Sequence, residues 1–246
     1  MNPLKIALAF LTRLPVRHVD YNEGDLKASI YWYGVVGLVI GGILWLSQAI
    51  LLWIAPLLNP AIAAAVLLGV WVLVTGALHL DGLADSADAW LAGGDRERTL
   101  AIMKDPRSGP AGVASMVLVL LVKFACLQQL VATAPALLLL APSLARSLMP
   151  ILFLHTPYVR EAGLATPFRD GLDSATSYLQ AALLALMWWW LMGVSALLAL
   201  LLVGAVFGWL RRLMMQRIGG TTGDTAGACV EILEAVALLG MALAVA

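Results

Sequence analysis

Long apolar runs separated by short polar segments set the pattern of this chain. A helix needs about 20 predominantly apolar residues to cross a bilayer. The runs at roughly 33–54, 61–80, 110–131, 136–154 and 226–246 approach that length. The run at 179–210 is too long for one crossing and short for two, and Gly193 and Ser195 near its middle predict a tight hairpin. The expected architecture is therefore all-α: a polytopic membrane bundle of about seven transmembrane helices, forming one membrane-embedded catalytic domain over residues 1–246. The opening segment Met1–Arg13 has too short an apolar run, and no small-residue cleavage site, for a signal peptide. It predicts a short helix lying at the interface.

The basic residues sharpen this picture. Lys5, Arg13, Arg17 and Lys27 precede the first run. Arg96, Arg98, Lys104 and Arg107 follow the second, Arg160 and Arg169 the fourth, and Arg211, Arg212 and Arg217 the long one. The intervening connections carry no Lys or Arg, so the positive-inside rule predicts a cytoplasmic N-terminus and an outer C-terminus. Lys123 and Arg146 break the pattern, each near mid-span. Charges at that depth normally face the bundle interior with a partner, and a functional role stands open beside a plain internal ion pair.

Composition agrees. Of 246 residues 62% are hydrophobic and only 12% charged, which lipid accommodates better than water. The net charge of zero gives no support to a nucleic-acid partner. Cys126 and Cys229 both sit in apolar runs and read as small buried hydrophobes.

Three segments carry candidate chemistry. In His79-Leu-Asp81-Gly-Leu-Ala-Asp85-Ser-Ala-Asp88 the aspartates stand at i, i+4 and i+7, one face of a helix. Adjacent carboxylates repel unless a cation neutralises them, and hard oxygen ligands suit Mg²⁺ or Mn²⁺ shared with substrate phosphates. Asp81, Asp85 and Asp88 are thus the expected metal ligands, in place of a merely solvated acidic face. His79 lies off that face, either against substrate or in packing. The second segment holds Lys104, Asp105, Arg107, Gly109 and Gly112. It is a basic loop suited to phosphate oxygens, and its glycines let the backbone approach a ligand. The third, Gly219-Gly-Thr-Thr222-Gly223-Asp224-Thr-Ala-Gly227-Ala228-Cys-Val-Glu231-Ile-Leu-Glu234, can present amides to an anion. Asp224 and Glu231 share a helix face there. Glu231 is expected to join the aspartates in one site, the alternative being that it pairs with Lys123 or Arg146. Gly227 and Ala228 allow close helix packing. The segment Thr166–Leu172 reads as a plain loop.

The motifs His79-x-Asp81-Gly82-Leu83-Ala84-Asp85-x-x-Asp88, Ile102-Met103-Lys104-Asp105 and Gly220-x-Thr222-Gly223-Asp224-x-x-Gly227-Ala228-x-x-Glu231 together resemble the cobalamin synthase, or adenosylcobinamide-GDP ribazoletransferase, family. The resemblance spans the chain in length and hydropathy. Ala89 and Pro110 depart from the family pattern without removing a carboxylate or a base. The resemblance implies a Mg²⁺-dependent enzyme of the bacterial inner membrane with its site on the cytoplasmic side. It would join adenosylcobinamide-GDP and α-ribazole, or its 5′-phosphate, to give adenosylcobalamin, or its 5′-phosphate, and GMP. In that reading the ribazole 5′-hydroxyl attacks the cobinamide phosphate and one or two metal ions neutralise charge. Lys104 and Arg107 hold the pyrophosphate, Asp105 takes the proton, and His79, Thr222, Gly223, Asp224 and Glu231 border the substrates. An oligomer is left open.

Three rivals share some of these features. A CDP-alcohol phosphotransferase expects Ala-Arg where Ala84-Asp85 stands. An intramembrane prenyltransferase uses paired acidic motifs usually opening on Asn-Asp. A transporter would place its sites at mid-membrane and often shows an inverted repeat, which this chain lacks.

Overall fold

The computed structural model describes residues 2–17, 19, 21–160, 166–168 and 171–245. The described residues form helices with no strands, and one isolated bridge joins Tyr158 to Thr221. Arg169 and Asp170 lie outside the described residues.

In chain order, α1 (Asn2–Leu11) and α2 (Glu23–Ser29) lead into α3 (Tyr33–Ile54). Then come α4 (Pro60–Thr75), α5 (Leu78–Ala92), α6 (Arg96–Ile102) and α7 (Pro110–Thr133). A 3₁₀ turn precedes α8 (Leu140–Ser147) and α9 (Met149–His155). Finally α10 (Ser174–Met192), α11 (Ala196–Ile218) and α12 (Gly223–Ala244) complete the chain.

The hairpin expected within 179–210 is present. Five helical runs are long and apolar enough to cross a membrane, or six when the bent pair α4–α5 counts as one broken span. The run 174–218 is helical throughout its 45 residues, but a 3₁₀ turn at Gly193–Ser195 divides α10 from α11, and counting those two apart gives seven. Gly193 bends it, adopting φ 59 and ψ −140, a conformation open to glycine. Both ends of this run return to the charged end of the bundle. The Asp173 amide donates to the Tyr31 hydroxyl, and the Ile218 carbonyl accepts from Arg96 Nε at 2.8 Å. Its middle reaches the far end, where Ala199 packs on Gly240.

α12 is the axis: 78% of its apolar window is buried, against 17% for α10–α11. Large side chains such as Leu118, Leu183, Trp190 and Leu201 face outward from the peripheral helices, as a lipid-facing perimeter requires. The short helix expected at the N-terminus is present as α1, with Ile6, Ala7 and Leu11 buried.

The α4–α5 break positions the site. Gly76 (φ 61) and Ala77 (φ 57) are consecutive left-handed residues, and the chain turns by 88°. Ala77 lacks glycine's freedom, so this conformation costs on the order of 1 kcal/mol that tertiary packing must offset. The Arg13 amide donates to the Val74 carbonyl at 2.7 Å, and the Arg13 side chain lies against Gly76, holding the bend from outside. The bend lays α5 along α12. Gly82 meets the Asp224 backbone and Gly227 meets the His79 backbone so closely that added methyl groups would collide or crowd. The packing role expected of Gly227 is found.

Candidate active site

Two connections assemble the mouth of the site at the charged end. The first is the segment after α11. Gly219 ends α11 in the left-handed region (φ 70). Gly220 passes so close to the Pro157 carbonyl that no side chain fits. The Thr221 amide then donates to Pro157 O at 2.8 Å and the Val159 amide to Thr221 O at 3.0 Å. This bridge carries Arg160 to Asp224, where the two form an ion pair. Thr222 caps α12: its hydroxyl accepts from the Thr225 amide at 3.2 Å, and Thr225 Oγ1 accepts from the Thr222 amide. Thr222 is fully buried in that role, whereas Gly223 and Asp224 line the cavity beyond it.

The second connection is Asp88. Its carboxylate accepts the Gly109 amide at 2.6 Å and the Gly112 amide at 2.8 Å. It thereby caps the N-terminus of α7, whose first amides have no partner within the helix. The two glycines make room for this carboxylate, since a methyl group at either would strike it. Their close backbone approach thus serves Asp88, with no ligand needed to explain it.

Asp81 and Asp85 differ from Asp88. Neither carries an ion pair among the described residues. Asp85 lies within electrostatic range of Asp81, Asp224 and Asp88, and of one base, Arg160, which is already paired with Asp224. No three His, Cys, Asp or Glu side chains among the described residues converge on a ready-made metal cage. The donor chemistry still suits a hard divalent cation. Mg²⁺ is commonly held by one or two carboxylates together with substrate phosphates, with no all-protein cage. The candidates at the mouth are Asp81, Asp85 and Asp224.

The basic loop stands apart. Lys104 is exposed, and Arg107 is a solvated side chain making a two-pronged contact with Asp105 at 2.9 and 2.7 Å. Neither lines the cavity. Hydrogen bonds from Arg107 hold the Asp105 carboxyl down at about 2. A carboxylate that acidic is a weak proton acceptor, which removes the physical support for Asp105 as base.

The cavity has a volume of about 330 Å³. Asp81, Asp224 and Arg160 lie at its mouth, and His79 and Arg146 line it deeper in. Arg146, fully buried, pairs with Glu234 and donates to Pro142 O at 3.0 Å. Its Nη2 faces His79 Nδ1 at 3.4 Å. Glu234 also pairs with Lys123, which contacts Glu231 at 2.6 Å and lies 4.5 Å over the Trp71 ring.

Glu231 therefore belongs to a buried ion cluster spanning α7, α8 and α12, and does not join the aspartates at the mouth. Its seven-residue offset from Asp224 keeps one face but moves it about 10 Å along the helix, at 1.5 Å per residue. The expectation that Glu231 shares the aspartates' site is thus overturned, and the alternative, pairing with Lys123, is the one found. Sequence reasoning missed Arg160 as a site residue and the aromatic lining of Phe10, Tyr33, Phe153, Tyr158 and Phe168. Only a tertiary contact marks either.

Comparison with known proteins agrees with the resemblance. The adenosylcobinamide-GDP ribazoletransferase of Pseudomonas putida W619 is 53% identical over 99% of this chain and 100% of its own length. The protein of the same name from Pseudomonas fluorescens is 51% identical over 99% and 100%. That of Stutzerimonas stutzeri is 50% identical over 100% and 99%. No solved structure matches. Residues 3–242 match the cobalamin-5-phosphate synthase family, and the chain belongs to that family.

Proposed function

We propose that this protein is an adenosylcobinamide-GDP ribazoletransferase of the bacterial inner membrane, with its site facing the cytoplasm. It joins adenosylcobinamide-GDP to α-ribazole or its 5′-phosphate and releases GMP. The observation that carries this reading is the cavity itself. The unpaired Asp81, the Asp224–Arg160 pair and the start of α12 share one mouth above a largely apolar interior. That arrangement suits a charged phosphate at the entrance and an uncharged ring below. Relatives of that name match over the full length, and the basic residues gather at the same end.

In the reaction, a ribose hydroxyl oxygen forms a bond to the cobinamide phosphorus. The anhydride bond breaks, and GMP leaves with the bridging oxygen. Stoichiometry corrects the expected nucleophile. When the 5′-phosphate of ribazole survives into product, its 5′-oxygen is already esterified, so the attacking hydroxyl is a different one on the ribose. Little covalent chemistry falls to the protein, which aligns the groups and offsets charge. A divalent cation held by Asp85 and Asp224 would neutralise the diphosphate. Arg160 and the first amides of α12 present further positive charge to phosphate oxygens. Asp81, at the cavity mouth and without a basic partner, is placed to accept the hydroxyl proton.

The test is incubation of the purified protein with adenosylcobinamide-GDP, α-ribazole and Mg²⁺, with products read by mass. Formation of GMP and the joined corrinoid is expected. CMP from a CDP-alcohol, pyrophosphate from a prenyl donor, or no product would overturn the reading.

A further inference from the structure

Five rings form a continuous chain of contacts, Phe10–Tyr33–Phe168–Phe153–Tyr158, with centroids 5.3–6.3 Å apart. They come from α1, α3, α9, the segment after α9 and the 3₁₀ turn at Thr166–Phe168, so the tertiary fold alone gathers them. All five line the cavity below Asp81 and Asp224. Two arginines of the lining carry a buried Nε–H without a partner among the described residues, Arg160 at the mouth and Arg146 deeper in. Arg146 has both terminal nitrogens engaged, by Glu234, Pro142 O and His79, but its buried Nε–H donates to nothing. An unsatisfied buried donor costs about 1–3 kcal/mol, a penalty that an acceptor brought against it removes.

We propose that this aromatic cavity holds the planar base of the ribazole substrate, with Arg146 Nε–H donating to its single free ring nitrogen. This rests on the ribazoletransferase reading above and assigns the two substrates to different places. A benzimidazole nucleoside offers two flat apolar faces and one unsubstituted nitrogen acceptor. That chemistry matches ring walls with a spare donor deep among them, the Arg160 donor lying out at the phosphate end. Guanine does not match: it carries several donors and acceptors along its edge, and burying them against phenylalanine leaves most unpaired. A corrin ring with its amide arms is far too large for a cavity at the small end of ligand sites. The corrinoid and its guanosine diphosphate therefore stay outside, meeting the ribose at the Asp81–Asp224 mouth. Arg146 then determines base specificity, while Glu234 and His79 hold its guanidinium in place.

Two measurements test this. Equilibrium binding of α-ribazole to the wild-type protein in detergent is compared with that of the indole ribonucleoside, which has a carbon in place of the accepting nitrogen. We expect the indole compound to bind about tenfold more weakly or worse, the range of a hydrogen bond to a charged donor. Arg146→Lys keeps the charge for Glu234 but lacks Nε–H, and should abolish that discrimination. Separately, Phe153→Leu and Phe168→Leu should raise KM for α-ribazole about tenfold, on the scale of base–aromatic stacking, and leave KM for adenosylcobinamide-GDP within about twofold. Equal binding of the two nucleosides by the wild type would overturn the proposal. So would Phe variants that raise KM for adenosylcobinamide-GDP, for both substrates alike, or for neither. A wild-type protein that binds no nucleoside and releases no GMP would instead sink the reaction reading.

Discussion

The buried cluster and the mouth draw their charges from some of the same helices, yet they treat those charges in opposite ways. In the buried cluster Lys123, Arg146, Glu231 and Glu234 form three ion pairs, with a neutral sum of charge and side chains nearly excluded from solvent. At the mouth, Asp81 and Asp85 lack basic partners, and only Asp224 is matched, by Arg160. A charge in an apolar interior must be compensated within the protein. A charge at an opening can wait for a ligand. Pairing of every charge fits a cluster that holds α7, α8 and α12 together, and incomplete pairing fits a mouth open to a charged ligand.

The comparison can be broken in order of expected effect. Glu234→Gln leaves Arg146 without its counter-ion, so it should destabilise the protein by about 3–5 kcal/mol. Thermal unfolding in detergent reads this directly. Glu231→Gln should shift unfolding in the same direction while the Mg²⁺ concentration for half-maximal turnover stays put. A changed Mg²⁺ requirement would return Glu231 to the mouth.

Next come Asp81→Asn and Asp85→Asn. Each should lower the rate of GMP release by about 10²–10³-fold with an unchanged unfolding temperature, as for loss of a group that stabilises transition-state charge. A drop in stability without a drop in rate would reverse the roles of the two regions.

Smaller still is Asp88→Ala, which removes the acceptors from the first turn of α7. A stability loss of about 0.5–2 kcal/mol is expected, the range for a helix cap, with a modest effect on turnover. A metal-dependent collapse of activity equal to that of Asp81→Asn would show that Asp88 serves the reaction after all.

The smallest effect belongs to Asp105. With its carboxyl lowered from 3.8 to about 2 by Arg107, it is ionised throughout the neutral range. A depressed carboxylate contributes above its unfolded pKa and loses that contribution only as pH falls through the folded value. Its window therefore lies between roughly pH 4 and 2. Asp105→Asn should leave the pH profile of kcat/KM between pH 5 and 9 unaltered. A large loss of kcat/KM, uniform across that range, would restore Asp105 as the proton acceptor.

The sequence by itself determined what depends on local composition and short spacing. Apolar length gave the membrane-crossing helices, because hydrocarbon thickness sets a length that can be read from the chain. The 3.6-residue period placed Asp81, Asp85 and Asp88 on one helix, and α5 carries all three. Only the tertiary structure decided how those residues divide their work. Asp88 faces two amides from residues 21 and 24 positions later, so it caps a helix, while Asp81 stays open to the cavity. Glu231 shares a face with Asp224 but sits two turns deeper, where Lys123 from α7 reaches it. Arg160 reads as one more basic loop residue until the Pro157–Thr221 bridge sets it beside Asp224. The physical reason is the same throughout: periodicity reports direction around a helix axis, whereas a charge's role depends on depth and on partners distant in sequence.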